Sequence, residues 1–149
     1  MKKLQLFTDG AARGNPGEAA LGVLVKDDTG KVLASRHAYL GHATNNVAEY
    51  RGLIVGLRLA QELAPDALEV YMDSKLVVEQ VNARWKVNDE NLRVLCRQAR
   101  ALMGSFAKVS LRYIPREKNM EADALANLAL DSPGRKVDRA ALGLDDNLP

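Results

Sequence analysis

The chain has 149 residues, of which 47% are hydrophobic, and a formal net charge of +2. That length forms one domain with a real core, and the near-balanced charge excludes a strong overall basic field, although a local basic patch stays open. The one cysteine, Cys96, excludes an intrachain disulfide, and two histidines remote from any cysteine cluster argue against structural zinc. The start, MKKLQLFTDG, lacks the apolar run of a signal peptide, and no later stretch is long enough to span a bilayer. A soluble cytoplasmic monomer with no membrane role is therefore expected.

In chain order, residues 4–8 are apolar and β-prone and predict a first strand that runs into Asp9. Small residues follow at 10–12, and Gly14-Asn15-Pro16-Gly17 predicts a sharp turn. Asp9 is then an acid held rigidly beside uncluttered backbone, although Asp-Gly is also a favoured hairpin dipeptide. Residues 19–26 and 31–39 predict two more strands around a turn at 27–30. Helical spacing covers 47–63, with Val47, Leu53, Ile54, Leu57, Ala60 and Leu63 on one stripe. A fourth strand follows at 67–72 and a short helix at 75–82. Residues 83–87 form a connector, and a second long helix spans 89–103, where Cys96 is expected to pack as a small apolar residue. A fifth strand covers 108–114, and a last helix covers 119–130 with Leu125, Leu128 and Ala129 as its buried side. Ser132-Pro133-Gly134 marks a boundary, dividing residues 1–131 from a polar tail, 132–149, that is weakly ordered or packs back.

The order β-β-β-α-β-α-α-β-α predicts an α/β fold: a mixed five-stranded sheet with helices on both faces. Sites in such sheets gather at strand ends and the helix starts beside them. Four acids fall there: Asp9, Asp73, Glu49 and Asp123. Each also has a structural reading. Asn46 and Glu49 have the spacing of a capping box, Asp73 suits a helix cap, and Asp123 suits a helix dipole. Together they suggest more. If strands one and four are neighbours, Asp9 and Asp73 end side by side, and carboxylates that close repel unless a cation neutralises them. Oxygen-only ligation suits magnesium or manganese, and two such ions suit attack of water on a phosphodiester.

The blocks TDGAARGNPG, TNNVAEYRGLIVGL, MDSKLVVEQV and EADALANLA resemble type 1 ribonuclease H, over about residues 3 to 130. The resemblance is nearest to the short branch of archaea and some bacteria, and to the ribonuclease H half of certain actinobacterial proteins with a phosphatase domain. It implies a ribonuclease H-like fold. It also implies that Asp9, Glu49, Asp73 and Asp123 hold two Mg2+ ions, with Mn2+ as a substitute, and cut the RNA strand of an RNA–DNA hybrid. By the same resemblance Asn15, Thr44, Asn45 and Asn46 contact the nucleic acid, and Ser74, Lys75 and Arg116 are further substrate-binding candidates. Short amides and hydroxyls reach 2′-hydroxyls and phosphates without filling the groove.

The chain departs from the family pattern twice. Many members carry a basic helical protrusion after the short helix, whereas here ARWKV runs directly into NDENLRVLCRQAR. Lys75, Arg84, Trp85 and Lys86 remain to hold a duplex, with Trp85 also readable as core. Few phosphate contacts, modest affinity and a shallow salt dependence are then expected. Many members also place a histidine in the loop before the last acid, and the corresponding PREKNMEA has none. Arg116, Glu117 or Lys118 are the candidates to replace it. The alternatives are a related two-metal nuclease acting on other duplexes, or an inactive nucleic-acid-binding module. No GxxxxGK[ST] run supports a phosphate loop.

Overall fold

The computed structural model describes residues 1–143. Three strands lead: β1 (Lys3–Gly14), β2 (Gly17–Asp27) and β3 (Val32–Ala43). Helix α1 (Asn45–Glu62), β4 (Ala67–Met72), α2 (Lys75–Val81), α3 (Glu90–Met103), β5 (Val109–Tyr113) and α4 (Met120–Asp131) follow. The strands form one sheet in the order β3-β2-β1-β4-β5. β1, β2 and β3 pair antiparallel, while β4 pairs parallel with both β1 and β5. This is the mixed sheet that the sequence pattern predicts, with β1 and β4 adjacent near its centre.

Two glycines show how closely the helices lie on that sheet. A Cβ on Gly10 would fall 2.2 Å from the Ala48 carbonyl carbon of α1, and one on Gly22 would fall 2.3 Å from the Ala122 oxygen of α4. Gly10 and Gly22 belong to the adjacent pairs Gly10↔Leu21 and Asp9↔Gly22, so they face opposite sides of the sheet. α1 and α4 therefore cover opposite faces, and α3 packs on α1 as an outer layer. The main core lies between the sheet and α1, where Leu6, Leu21, Val23, Leu53, Ile54 and Leu57 are fully enclosed.

Several boundaries differ from the sequence expectation. β1 does not stop at Asp9, because the pairing with β2 continues to Gly14↔Gly17. The turn is confined to Asn15-Pro16, and Asp9 lies within the strand. α1 begins at Asn45 with Thr44 as its cap, whose Oγ1 accepts from the Val47 amide at 3.2 Å. The capping box on Asn46 is therefore not formed. A single 3-10 turn, Arg116–Lys118, precedes α4. On α4, Ala122, Ala126, Ala129 and Leu130 face inward, while Leu128 is exposed. Leu128 follows Ala126 by two positions, about 200° around the helix, and so points away from the sheet. Cys96 is buried as expected.

After α4 the chain packs back on the sheet edge. Val137 bridges to Tyr39 of β3, the Asp138 amide donates to the Tyr39 oxygen at 2.9 Å, and Ala141 is buried. Arg135 lies over the Tyr39 ring at 4.7 Å and pairs with Glu18 at 3.5 Å. The remainder of the expected tail, 144–149, lies outside the described residues. No helix among the described residues is long and apolar enough to cross a membrane.

Candidate active site

The site forms where β4 stops and β1 continues. The last parallel pair is Thr8↔Met72, so Asp9 and Asp73 each follow one residue later on neighbouring strands. Beyond that pair the Gly10 amide donates instead to Glu49 Oε1 at 2.7 Å. Glu49 arrives from the second turn of α1, which the missing side chain of Gly10 lets approach. One carboxylate oxygen from each of Asp9, Glu49 and Asp73 lies within 4.8 Å of the others. Asp123, from the first turn of α4, stands within hydrogen-bonding reach of Asp9 and 3.7 Å from an Arg116 nitrogen.

Burial and crowding act in the same direction on this cluster. The Asp9 carboxyl is pushed up to about 10, first by burial and then by the charges of Glu49 and Asp73. Glu49 is raised to about 8 by burial and by Asp73, against the Gly10 amide, which favours its charged form. Like charges enclosed this way disfavour ionisation until a cation neutralises them. An oxygen-only donor set of this kind suits a hard divalent cation.

The structural readings of two acids do not hold. The cap of α2 is Ser74, whose Oγ accepts from Val77 at 3.3 Å, so Asp73 is free of that role. Glu49 bonds across to β1 and not back to its own helix start. Asp123 keeps a position suited to the α4 dipole.

The other predicted residues occupy the β1–β2 turn, the starts of α1 and α2, and the 3-10 turn before α4. Asn15 Oδ1 accepts from the Asn45 amide at 3.1 Å, and Asn45 Oδ1 accepts from the Ala12 amide at 3.1 Å. This latch ties the β1–β2 turn to the start of α1 and leaves the Asn15 amide nitrogen to donate outward. Asn46 is half-buried beside it, and Lys75 and Arg116 are exposed. Sequence reasoning missed Asn119. It is buried and donates from Nδ2 to the Thr8 oxygen at 2.8 Å, which ties the start of α4 to β1 beside Asp9. Its one signal was an asparagine ahead of a helical run.

A family model described as reverse transcriptase-like matches residues 7–129. A crystal structure of RNase H1 from the halophilic archaeon Halobacterium salinarum superposes with a TM-score of 0.84 and 42% identity, covering 87% of this chain and 98% of that one. The chain belongs to the ribonuclease H family. LC11-RNase H1, solved in complex with an RNA/DNA hybrid, is 38% identical with a TM-score of 0.78, over 83% of this chain and 94% of the other. The bifunctional protein Rv2228c of Mycobacterium tuberculosis is 48% identical over 136 residues, 91% of this chain. The chain spans 37% of the length of that relative.

Proposed function

We propose that the chain is an endonuclease that hydrolyses the RNA strand of RNA–DNA hybrids. The observation that carries this reading is the convergence of Asp9, Glu49 and Asp73 at the one notch where β4 ends beside β1. A ribonuclease H relative solved with a hybrid supports the substrate class. Asp9, Glu49, Asp73 and Asp123 would hold two Mg2+ ions, or Mn2+ in their place. When bound, such ions neutralise developing charge on the phosphate and lower the pKa of an attacking water.

The chain's own residues supply positioning. Asp9 lies on β1 and Asp73 directly follows its partner strand β4, so the sheet sets their spacing. The Gly10 amide orients Glu49. Asn15, Thr44, Asn45 and Asn46 offer short polar groups of the kind suited to reading 2′-hydroxyls in a minor groove. Arg116, 3.7 Å from Asp123, would assist the departure of product. Residues 1–131 form the catalytic unit in this reading, and 132–149 a C-terminal extension.

The test uses end-labelled hybrid, RNA duplex and DNA duplex, each with magnesium or manganese. Cleavage confined to the RNA strand of the hybrid is expected. Equal cutting of DNA duplex, or no cutting of hybrid, would overturn the assignment.

A further inference from the structure

Asp9, Glu49 and Asp73 are brought together by the β1–β4 pairing and by α1. Asp123 belongs to α4, which covers the opposite face of the sheet from α1. Its distance from Asp9 therefore depends on where α4 lies along β1.

The apolar packing of α4 does little to fix that position. Its inward residues Ala122, Ala126 and Ala129 are small. They lie over Gly22 of β2, where an added Cβ would meet the Ala122 oxygen at 2.3 Å. Contacts between small apolar groups are close but carry no direction, so they resist separation more than sliding. The polar ties along α4 are mostly at the surface. Lys26 pairs with Glu121 at 2.5 Å, and Arg13 reaches Asp131 at 2.7 Å and Asn127 at 3.3 Å. Each of these involves an exposed side chain, and such pairs hold one geometry weakly.

Asn119 is different. It is 2% exposed, and its Nδ2 donates to the Thr8 oxygen at 2.8 Å. Thr8 is itself fully buried and directly precedes Asp9. Among the described residues this is the one buried side-chain bond between the start of α4 and β1. Two features mark it as more than a helix cap. Asn119 occupies the N-cap of α4, where asparagine ordinarily accepts from the helix amides, yet it makes no such bond. Its Oδ1 is buried without a partner among the described residues. The side chain thus forgoes a cap and leaves an acceptor unsatisfied, both at a cost in stability, while it holds Thr8.

Helical spacing carries that hold to the carboxylate. Asp123 lies four residues on, one turn away on the same face, and its amide donates to the Asn119 oxygen at 3.1 Å. Asn119 and Asp123 of α4 therefore meet Thr8 and Asp9, consecutive residues of β1.

We propose that Asn119 is the positioning residue for Asp123. Its bond to the Thr8 carbonyl fixes α4 along β1 and sets how closely the fourth carboxylate stands to the other three. Through that spacing it sets the affinity of the cluster for divalent cations. The inference rests on the metal-dependent nuclease reading proposed above. In this role Asn119 touches neither cation nor nucleic acid.

The experiment is a calorimetric titration of the metal-free protein with Mn2+, well below the melting temperature of every variant. Asn119→Ala removes the bond to Thr8. Asn119→Ser removes it too, because the shorter hydroxyl does not span to Thr8, but it supplies a good cap for α4. The Kd for Mn2+ is expected to rise at least about tenfold in both. Binding of a labelled hybrid in chelator should stay at the wild-type value. Asp123→Asn, alone and combined with each Asn119 variant, completes a cycle. Once that carboxylate is gone nothing is left to position, so the double variants should bind Mn2+ as Asp123→Asn does. Thermal melting in chelator checks folding, and Asn119→Ser carries the comparison if Asn119→Ala does not fold. An unchanged Kd in the Asn119 variants overturns the inference. So does a wild-type Kd in Asn119→Ser alone, which would reduce Asn119 to a helix cap, and so does additive weakening in the double variants. Hydrolysis by wild type is measured alongside. Wild type that binds Mn2+ but cuts no hybrid overturns the functional reading, and the calorimetry still decides the role of Asn119. Wild type that cuts while the Asn119 variants bind Mn2+ normally overturns only the positioning role, and wild type that binds no Mn2+ overturns both.

Discussion

The carboxylate notch and the groove between α3 and the 83–87 connector, lined by Arg84, Lys86, Arg93, Arg97 and Arg100, concentrate charge of opposite sign by opposite means. In the notch, acids are enclosed: Asp9 is 4% exposed and lies among neighbours of its own sign. Their protonation is therefore tied to folding and to any cation that enters. In the groove, Arg97 and Lys86 project into solvent, where charge costs little to keep. Burial couples the charge of the first region to its surroundings, and exposure leaves the charge of the second to solvent. The difference can be tested from both sides.

The largest effect is expected at the notch. Asp9→Asn should reduce single-turnover hydrolysis by at least about a thousandfold, a barrier increase of about 4 kcal/mol, while hybrid binding in chelator stays close to wild type. Turnover near normal would remove Asp9 from the chemistry.

Next comes the packing that builds the notch. Gly10→Ala forces a Cβ onto the α1 backbone 2.2 Å away. Destabilisation of about 3 kcal/mol is expected, seen as a lower denaturant midpoint, together with loss of activity as Glu49 is pushed away. A variant that melts like wild type would mean that α1 does not depend on that close approach.

The third effect is electrostatic. Folded Asp9 and Glu49 titrate at about 10 and about 8, above ordinary unfolded carboxylates. The folded, metal-free protein thus holds extra protons from about pH 4 upward. Its stability is greatest below that range and falls as pH rises through it toward 8–10. Melting curves in chelator should show this decline, and magnesium should reverse it at neutral pH. Asp9→Asn or Asp73→Asn should raise the melting temperature at neutral pH without metal. Lower melting of both variants, with wild type unmoved by magnesium, would show that the carboxylates do not repel one another.

The smallest effect sharpens the groove. Arg84 already spends its guanidinium on Glu79, with contacts of 2.8 and 2.6 Å. Arg84→Ala should therefore change hybrid affinity by about twofold or less. A larger loss would mean that Arg84 meets the duplex despite that pairing.

Local pattern alone was enough for the element order, the five strands and the four acids. Apolar alternation and helical spacing are short-range signals, and each acid stood beside a strand end or helix start. The type 1 ribonuclease H blocks added the ligand set proposed above. Tertiary structure decided what depends on partners distant in sequence. β1 runs past Asp9 because β2 keeps pairing with it, which no feature of 4–14 alone reports. Glu49 bonds to Gly10, 39 residues away, and so is not a helix cap. Leu128 is outside because α4 turns Ala122, Ala126 and Ala129 toward the sheet, where Gly22 admits the helix backbone closely. Arg93, Arg97 and Arg100 share one face of α3 by their spacing. They become a groove only because the Ala83 turn folds the 83–87 connector against α3. Periodicity reports which face of an element is apolar, but what stands opposite the polar face is set by chain contacts that periodicity does not encode.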